Sequence, residues 1–230
     1  MDKNSQKNGI IEGTIWKQLL IFFFPILVGT FFQQLYNTVD AVIVGQFAGK
    51  EALSSVGGSS SQIINFVVGF FTGLSAGATV IISQFYGAND ANKIHRALHT
   101  AYAFSIVGGI IAGIIGIALT VPVMKLMNTP EELMHDSAMY VMIYFGGLVF
   151  IFVYNMGSAI LRAIGDSKRP LYYLIICCFI NIVLDIVFVS VLKLGVLGVA
   201  VATFISQLVS AVLVTRALMS VSYTHLTLPT

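Results

Sequence analysis

Charge is scarce in this chain of 230 residues: only 10% are Asp, Glu, Lys or Arg, and the net charge is +2. Soluble domains carry about 25% charged residues, so these side chains are too few to cover a water-soluble surface. That excludes a soluble enzyme and a disordered segment, and so small a charge excludes nucleic acid as a partner. Cysteine is also sparse. The two present, Cys177 and Cys178, are adjacent within an apolar run and provide no disulfide framework. What is abundant is hydrophobic sequence, at 57% of residues. The fold class this implies is all-α, a polytopic membrane protein.

A membrane-crossing helix needs about 20 mostly apolar residues. Six such stretches are expected, at 16–44, 56–85, 97–122, 133–161, 170–192 and 196–218. A tail at 1–14 precedes a six-helix lobe at 15–219, and 220–230 follow as a separate tail. The breaks carry their own signals. Gly87-Ala88-Asn89-Asp90 ends the second span and offers an N-cap to the third. Thr129-Pro130-Glu131-Glu132 reads as a capping box with proline at the first helical position. Gly165 to Pro170 is another stop and restart, and Lys193-Leu194-Gly195 a tight hairpin.

Basic residues are retained on the cytoplasmic side. Nine lie on one set of segments (Lys3, Lys7, Lys17, Lys93, Arg96, Arg162, Lys168, Arg169, Arg216) and three on the other (Lys50, Lys125, Lys193). Both termini are therefore expected in the cytoplasm, with an uncleaved first helix rather than a signal peptide.

Of ten acidic residues, two fall well inside spans, away from the span ends: Asp40 in the first and Asp185 in the fifth. An acid at membrane depth costs at least about 2.5–3.5 kcal/mol on insertion scales, which makes it a functional candidate. Asp40 has a simpler alternative, as a hydrated cap near the outer end of its helix. Asp185 is harder to dismiss, because the 16 residues from Arg169 put it roughly 24 Å along the helix. Asn181 precedes it by four and shares its face. Thr203, early in the inward-running sixth span, falls at a similar depth. Two carboxylates, an amide and a hydroxyl in one layer suit a proton or a hard cation.

Other features read as architecture. Gly69, Gly73 and Gly77 recur at every fourth residue, as do Gly109 and Gly113, which lets a neighbouring helix approach closely. His95 and His99 lie four apart but lack a third ligand, so no metal site is expected. Pro25 sits mid-helix and should kink the first span, as static architecture or as a hinge.

Several motifs together resemble the multidrug and toxic compound extrusion (MATE) transporters. Pro25 through Gly45, with Gln33-Gln34-Leu35-Tyr36-Asn37-Thr38-Val39-Asp40, resembles that family's first helix. Gly87-Ala88-Asn89-Asp90 with His95-Arg96, Leu161 through Pro170, and Asn181-Ile182-Val183-Leu184-Asp185 resemble its second loop, fourth loop and fifth helix. The likeness extends over about residues 10–218 and points to the branch of the DNA-damage-inducible and archaeal members.

The resemblance implies a secondary antiporter in a bacterial cytoplasmic membrane, neither an enzyme nor cofactor-dependent. It would exchange H+ or Na+ for small organic cations. Asp40 would be the main protonation site, with Asn181, Asp185, Thr203 and Asn155 as partners and Pro25 as the hinge. Family members have twelve helices in two lobes, so the six-helix lobe would lack its carboxy-terminal partner, a parallel repeat. Residues 220–230 are uncharged and resemble translated adapter readthrough rather than an inter-lobe linker, so a truncated half is expected, with a non-functional fragment as the alternative. Two competing readings are weaker. A lipid-linked oligosaccharide flippase would want basic residues in the membrane interior. An intramembrane aspartyl protease would place two aspartates so that they share a proton, but the expected Gly-x-Gly-Asp context is absent at Asp40 and Asp185.

Overall fold

The computed structural model describes residues 15–88 and 90–225. The expected 1–14 tail, Asn89 of the second loop and residues 226–230 of the expected tail lie outside the described residues.

Every regular element among the described residues is helical, as the apolar runs require. The order is α1 (Ile15–Ile43), a π-helical segment π1 (Val44–Ala48), α2 (Lys50–Gly57), α3 (Ser59–Gly87), α4 (Ala91–Leu126), α5 (Glu131–Gly146), α6 (Leu148–Ala163), α7 (Lys168–Asp185), a second segment π2 (Ile186–Val191) and α8 (Gly195–His225). Four stretches of the described residues are long and apolar enough to cross a membrane: Lys50–Gly87, Asn92–Leu126, Lys168–Val191 and Gly195–Ser220. The pair α5 and α6, bent by 48° at their junction, makes a fifth. The expected number of six is thus approximate, and α1, 29 residues long, is the remaining span on sequence grounds.

The bend corrects the expectation of one uninterrupted fourth span. Gly146 and Gly147 are adjacent there, the kind of pair at which helices kink. A Cβ on Gly147 would lie 3.1 Å from the Phe204 ring, so α8 approaches the bend closely. The chain ahead of the second span is also helical (α2), where a loop was expected. The third span runs through Pro122 for another turn, to Leu126. α8 continues to His225, past the boundary expected at 219.

The caps divide similarly. Asp90 does cap α4, its Oδ1 accepting from the Lys93 N–H at 3.1 Å. The capping box at Thr129 does not form, because the Thr129 hydroxyl bonds Ser59 Oγ at 3.0 Å and Pro130 itself occupies the cap position. The Lys193–Gly195 hairpin is tight as expected. Lys193 and Gly195 both take positive φ, 53° and 57°.

α6 is the central helix, packed against α3, α4 and α8, while α1 lies on α7 at one side. Phe152, fully buried on α6, packs between Phe71 of α3 and Phe104 of α4, with ring centroids 4.2 and 5.8 Å away. The outward surface is apolar; Phe66 is 79% exposed and Leu126 83%. That distribution suits an apolar surrounding such as lipid.

The two glycine rows, read alike from the sequence, differ in space. On α4, a Cβ at Gly109 would come within 2.7 Å of Val149 Cα, and one at Gly113 within 2.7 Å of the Phe145 carbonyl oxygen. On α3, Gly69, Gly73 and Gly77 meet nothing within 4 Å, so the packing role expected for them is not realised among the described residues.

Candidate functional site

α1, α7 and α8 converge on one polar cluster. Asp40 sits near the end of α1, Asn181 and Asp185 in the last five residues of α7, and Thr203 on the third turn of α8. All are withdrawn from the surface: Asn181 and Asp185 are 0% exposed, Thr203 3% and Asp40 9%. The Asn181 amide is oriented by its surroundings, since its oxygen would otherwise face two carboxylates. So placed, its nitrogen donates to Asp40 Oδ1 at 2.9 Å and to Asp185 Oδ2 at 3.0 Å. One amide therefore spends both N–H groups holding two acids together.

The spacing explains how three helices achieve this. Asn181 and Asp185, one turn apart, share a face of α7, and that face is turned to α1. Both carboxylates also lie where the helix loosens. π1 begins four residues after Asp40 and π2 directly after Asp185, and the two segments touch each other. In π1, Gly49 N–H reaches back five residues to Val44 at 3.1 Å; in π2, Leu192 N–H does the same to Val187 at 2.9 Å. π-helical turns are rare and recur at functional sites. Nothing in the apolar runs signals them.

The sequence reading also missed Tyr36. It lies one turn before Asp40, and that spacing could have revealed it. Its hydroxyl is 3.3 Å from Thr203 Oγ1.

Asn155 and Pro25 are not part of the cluster. Asn155 donates to the Ile151 carbonyl of its own helix at 3.0 Å and faces a neighbouring cavity of about 80 Å³. Tyr36, Gln33, Cys177, Ser206, Gln207 and Ser210 also line that cavity. Pro25 is buried in α1, which continues as helix through it. One turn on, Gly29 is in ordinary contact range of Leu171 and Leu174 on α7.

Asp185 Oδ1 is buried with no hydrogen-bond partner, and among the described residues the only ion pairs are Asp90–Lys93 and Asp166–Arg169. Two buried carboxylates without a basic partner leave a charge uncompensated, which is costly. The arrangement can hold one added positive charge, a proton or a hard cation. The His95–His99 pair is elsewhere, exposed on α4, with its Nε2 atoms 3.1 Å apart and no third ligand among the described residues.

The MatE family model matches residues 25–187. The chain is 32% identical over 199 residues to the "Probable multidrug resistance protein YoeA" of Bacillus subtilis, covering 85% of the chain and 43% of that relative. Among solved structures it resembles "Crystal structure of MATE in the straight conformation", with a TM-score of 0.88 and 25% identity over 99% of the chain and 50% of the other. It also resembles "Crystal structure of MATE in the bent conformation", with a TM-score of 0.84 and 25% identity over 93% of the chain and 47% of the other. The chain thus spans less than half the length of the curated relative it matches.

Proposed function

The chain belongs to the MatE family of multidrug and toxic compound extrusion transporters, and on that premise we propose that it forms one lobe of a drug-exporting antiporter. Its cargo is small organic cations, carried in exchange for H+ or Na+ across a bacterial cytoplasmic membrane, with both chain ends on the cytoplasmic side. Asp40, Asn181, Asp185 and Thr203 hold the coupling ion. Asn155 contributes to the cavity beside it, and Pro25 is the point at which α1 flexes. The whole transporter comprises this lobe and a second one, in keeping with the length of the relatives.

The observation that carries this reading is the Asn181 amide bridging two buried carboxylates at 2.9 and 3.0 Å. An ion that binds one conformation better shifts the equilibrium by that difference in affinity. Here the ion neutralises a carboxylate, which reduces the need for the shared donor and lets α1 repack against α7. Drug affinity changes with that repacking. The flippase reading gains nothing from the cavity, whose lining includes no lysine or arginine.

Replacing Asp40 by Asn in the full-length transporter should abolish coupled efflux while the protein still inserts in the membrane. Undiminished drug resistance in cells expressing that variant would reject the assignment.

A further inference from the structure

We infer that the cleft between α3 and α4 holds an acyl chain of a zwitterionic aminophospholipid, whose headgroup lies in the adjoining hydroxyl-lined pocket. The cleft measures about 640 Å³ and the pocket about 420 Å³. They follow one another on both walls. On α3, Ser59 lines the pocket and Gln62 the cleft; at the end of α4, Thr129 lines the pocket and Met127 the cleft. An apolar compartment continued by a polar one matches the two halves of an amphiphile.

Below its mouth the cleft offers nothing polar. Phe66, Val67 and Phe70 of α3 line one side, and Ile115, Leu119 and Val123 of α4 the other. Thr120, also in the lining, donates its hydroxyl to the Gly116 carbonyl at 2.7 Å. From Gln62 to Phe71 the α3 wall runs nine residues. That is roughly 14 Å, the depth of one leaflet in a hydrocarbon core about 30 Å thick. At the opposite end α3 stops at Gly87 and α4 starts at Ala91, so a short turn closes the wedge. A partner helix, about 10–12 Å across, would need a groove open along the whole span, whereas a single hydrocarbon chain needs only this depth.

The pocket supplies what a headgroup binds. Thr129 donates to Ser59 Oγ at 3.0 Å, so Ser59 keeps its own hydroxyl hydrogen for a phosphate oxygen. Ser54 adds a second hydroxyl, and α3 begins here with no side-chain cap on its first N–H groups. No lysine or arginine lines the pocket. Instead Glu131 and Glu132 directly follow the lining residue Pro130, are exposed, and form no ion pair among the described residues. Carboxylates beside a phosphate site disfavour an anionic headgroup and suit one that carries its own ammonium group. On the orientation proposed above, the lipid belongs to the outer leaflet; its binding does not depend on the coupling role of Asp40.

The test mixes the full-length transporter in detergent with phosphatidylethanolamine or phosphatidylglycerol and counts retained lipids by native mass spectrometry. The ethanolamine lipid should bind about fivefold more tightly, the size of effect expected from one exposed ion pair. Replacing both Glu131→Gln and Glu132→Gln should make the two affinities equal. Val67→Trp, which fills the cleft, should lose a bound lipid. Should that variant fail to fold, Phe70→Trp at the exposed rim gives a second reading. Its added fluorescence should be quenched more by brominated-chain ethanolamine lipid than by the brominated glycerol lipid. Undiminished lipid retention in folded Val67→Trp would overturn the site, as would equal quenching at Phe70→Trp by the two lipids. No lipid retained by the wild type would also overturn it, and would assign the cleft to the second lobe or a second copy of the chain. Asp40→Asn should retain the lipid, so a failure of coupling and a failure of this site are read separately.

Discussion

The lobe is joined along two seams of opposite character. Where α4 meets α5 and α6, the fit is one of shape. Gly109, Gly113 and Gly116 form a notch that Val149 and Phe145 fill so closely that a Cβ at any of the three would lie 2.6–2.7 Å from its nearest neighbour. Where α1 meets α7 and α8, the fit is polar, and one Asn181 amide serves two carboxylates. Lipid removes the hydrophobic drive between helices, leaving close packing and hydrogen bonds to join them. A seam held by shape has one good arrangement. A seam held by two acids around a shared donor has arrangements that depend on the charge present, so it is the seam suited to switching.

Deleting the donor should have the largest effect on stability. Asn181→Ala leaves two buried carboxylates with no amide between them, and two hydrogen bonds to charged groups amount to about 3 kcal/mol or more. Thermal unfolding of the full-length protein in detergent should register the loss. An unchanged transition would mean the amide does not hold this seam. Filling the notch comes next. Gly109→Val forces Val149 aside at about 1–3 kcal/mol, whereas Gly73→Ala on the open α3 row should stay within about 0.5 kcal/mol. Equal costs at the two sites would erase the distinction between a packed row and an open one.

The smallest effect belongs outside both seams, at the α4 cap. The Lys93 backbone N–H, and then its ammonium, hold the Asp90 carboxyl below the usual carboxylate range. A depressed value in the folded state contributes stability above the unfolded pKa, about 3.9, and loses it as pH falls through the folded one. Asp90→Ala should therefore lower the melting temperature slightly at neutral pH and not at all in stronger acid. A loss that is the same at both would show that the side chain acts there by something other than its charge.

Much of this was legible in the sequence, and the limits are physical. Apolar run length placed the spans, since every backbone group in lipid must be bonded within a helix. The i, i+4 pair Asn181–Asp185, with helix direction, placed Asp40 and Thr203 at one depth, and the structure brings all four together. Periodicity describes one helix at a time, however. It could not say that Gly109 faces a neighbour and Gly73 none, nor that Thr129 bonds Ser59 instead of capping α5. It also could not foresee π1 and π2, because their apolar residues would serve an α-helix equally well. Asn155, taken from the family's pattern, faces the cavity beside the cluster while its amide bonds its own helix.

The central claim is that the Asp40–Asp185 cluster holds the ion that the drug displaces. The most direct measurement adds drug to the purified full-length protein in weakly buffered detergent and reads released protons, or sodium, with an ion-sensitive dye. The account expects release from the wild type, and none from Asp40→Asn or Asp185→Asn under saturating drug. Equal release from all three would contradict it.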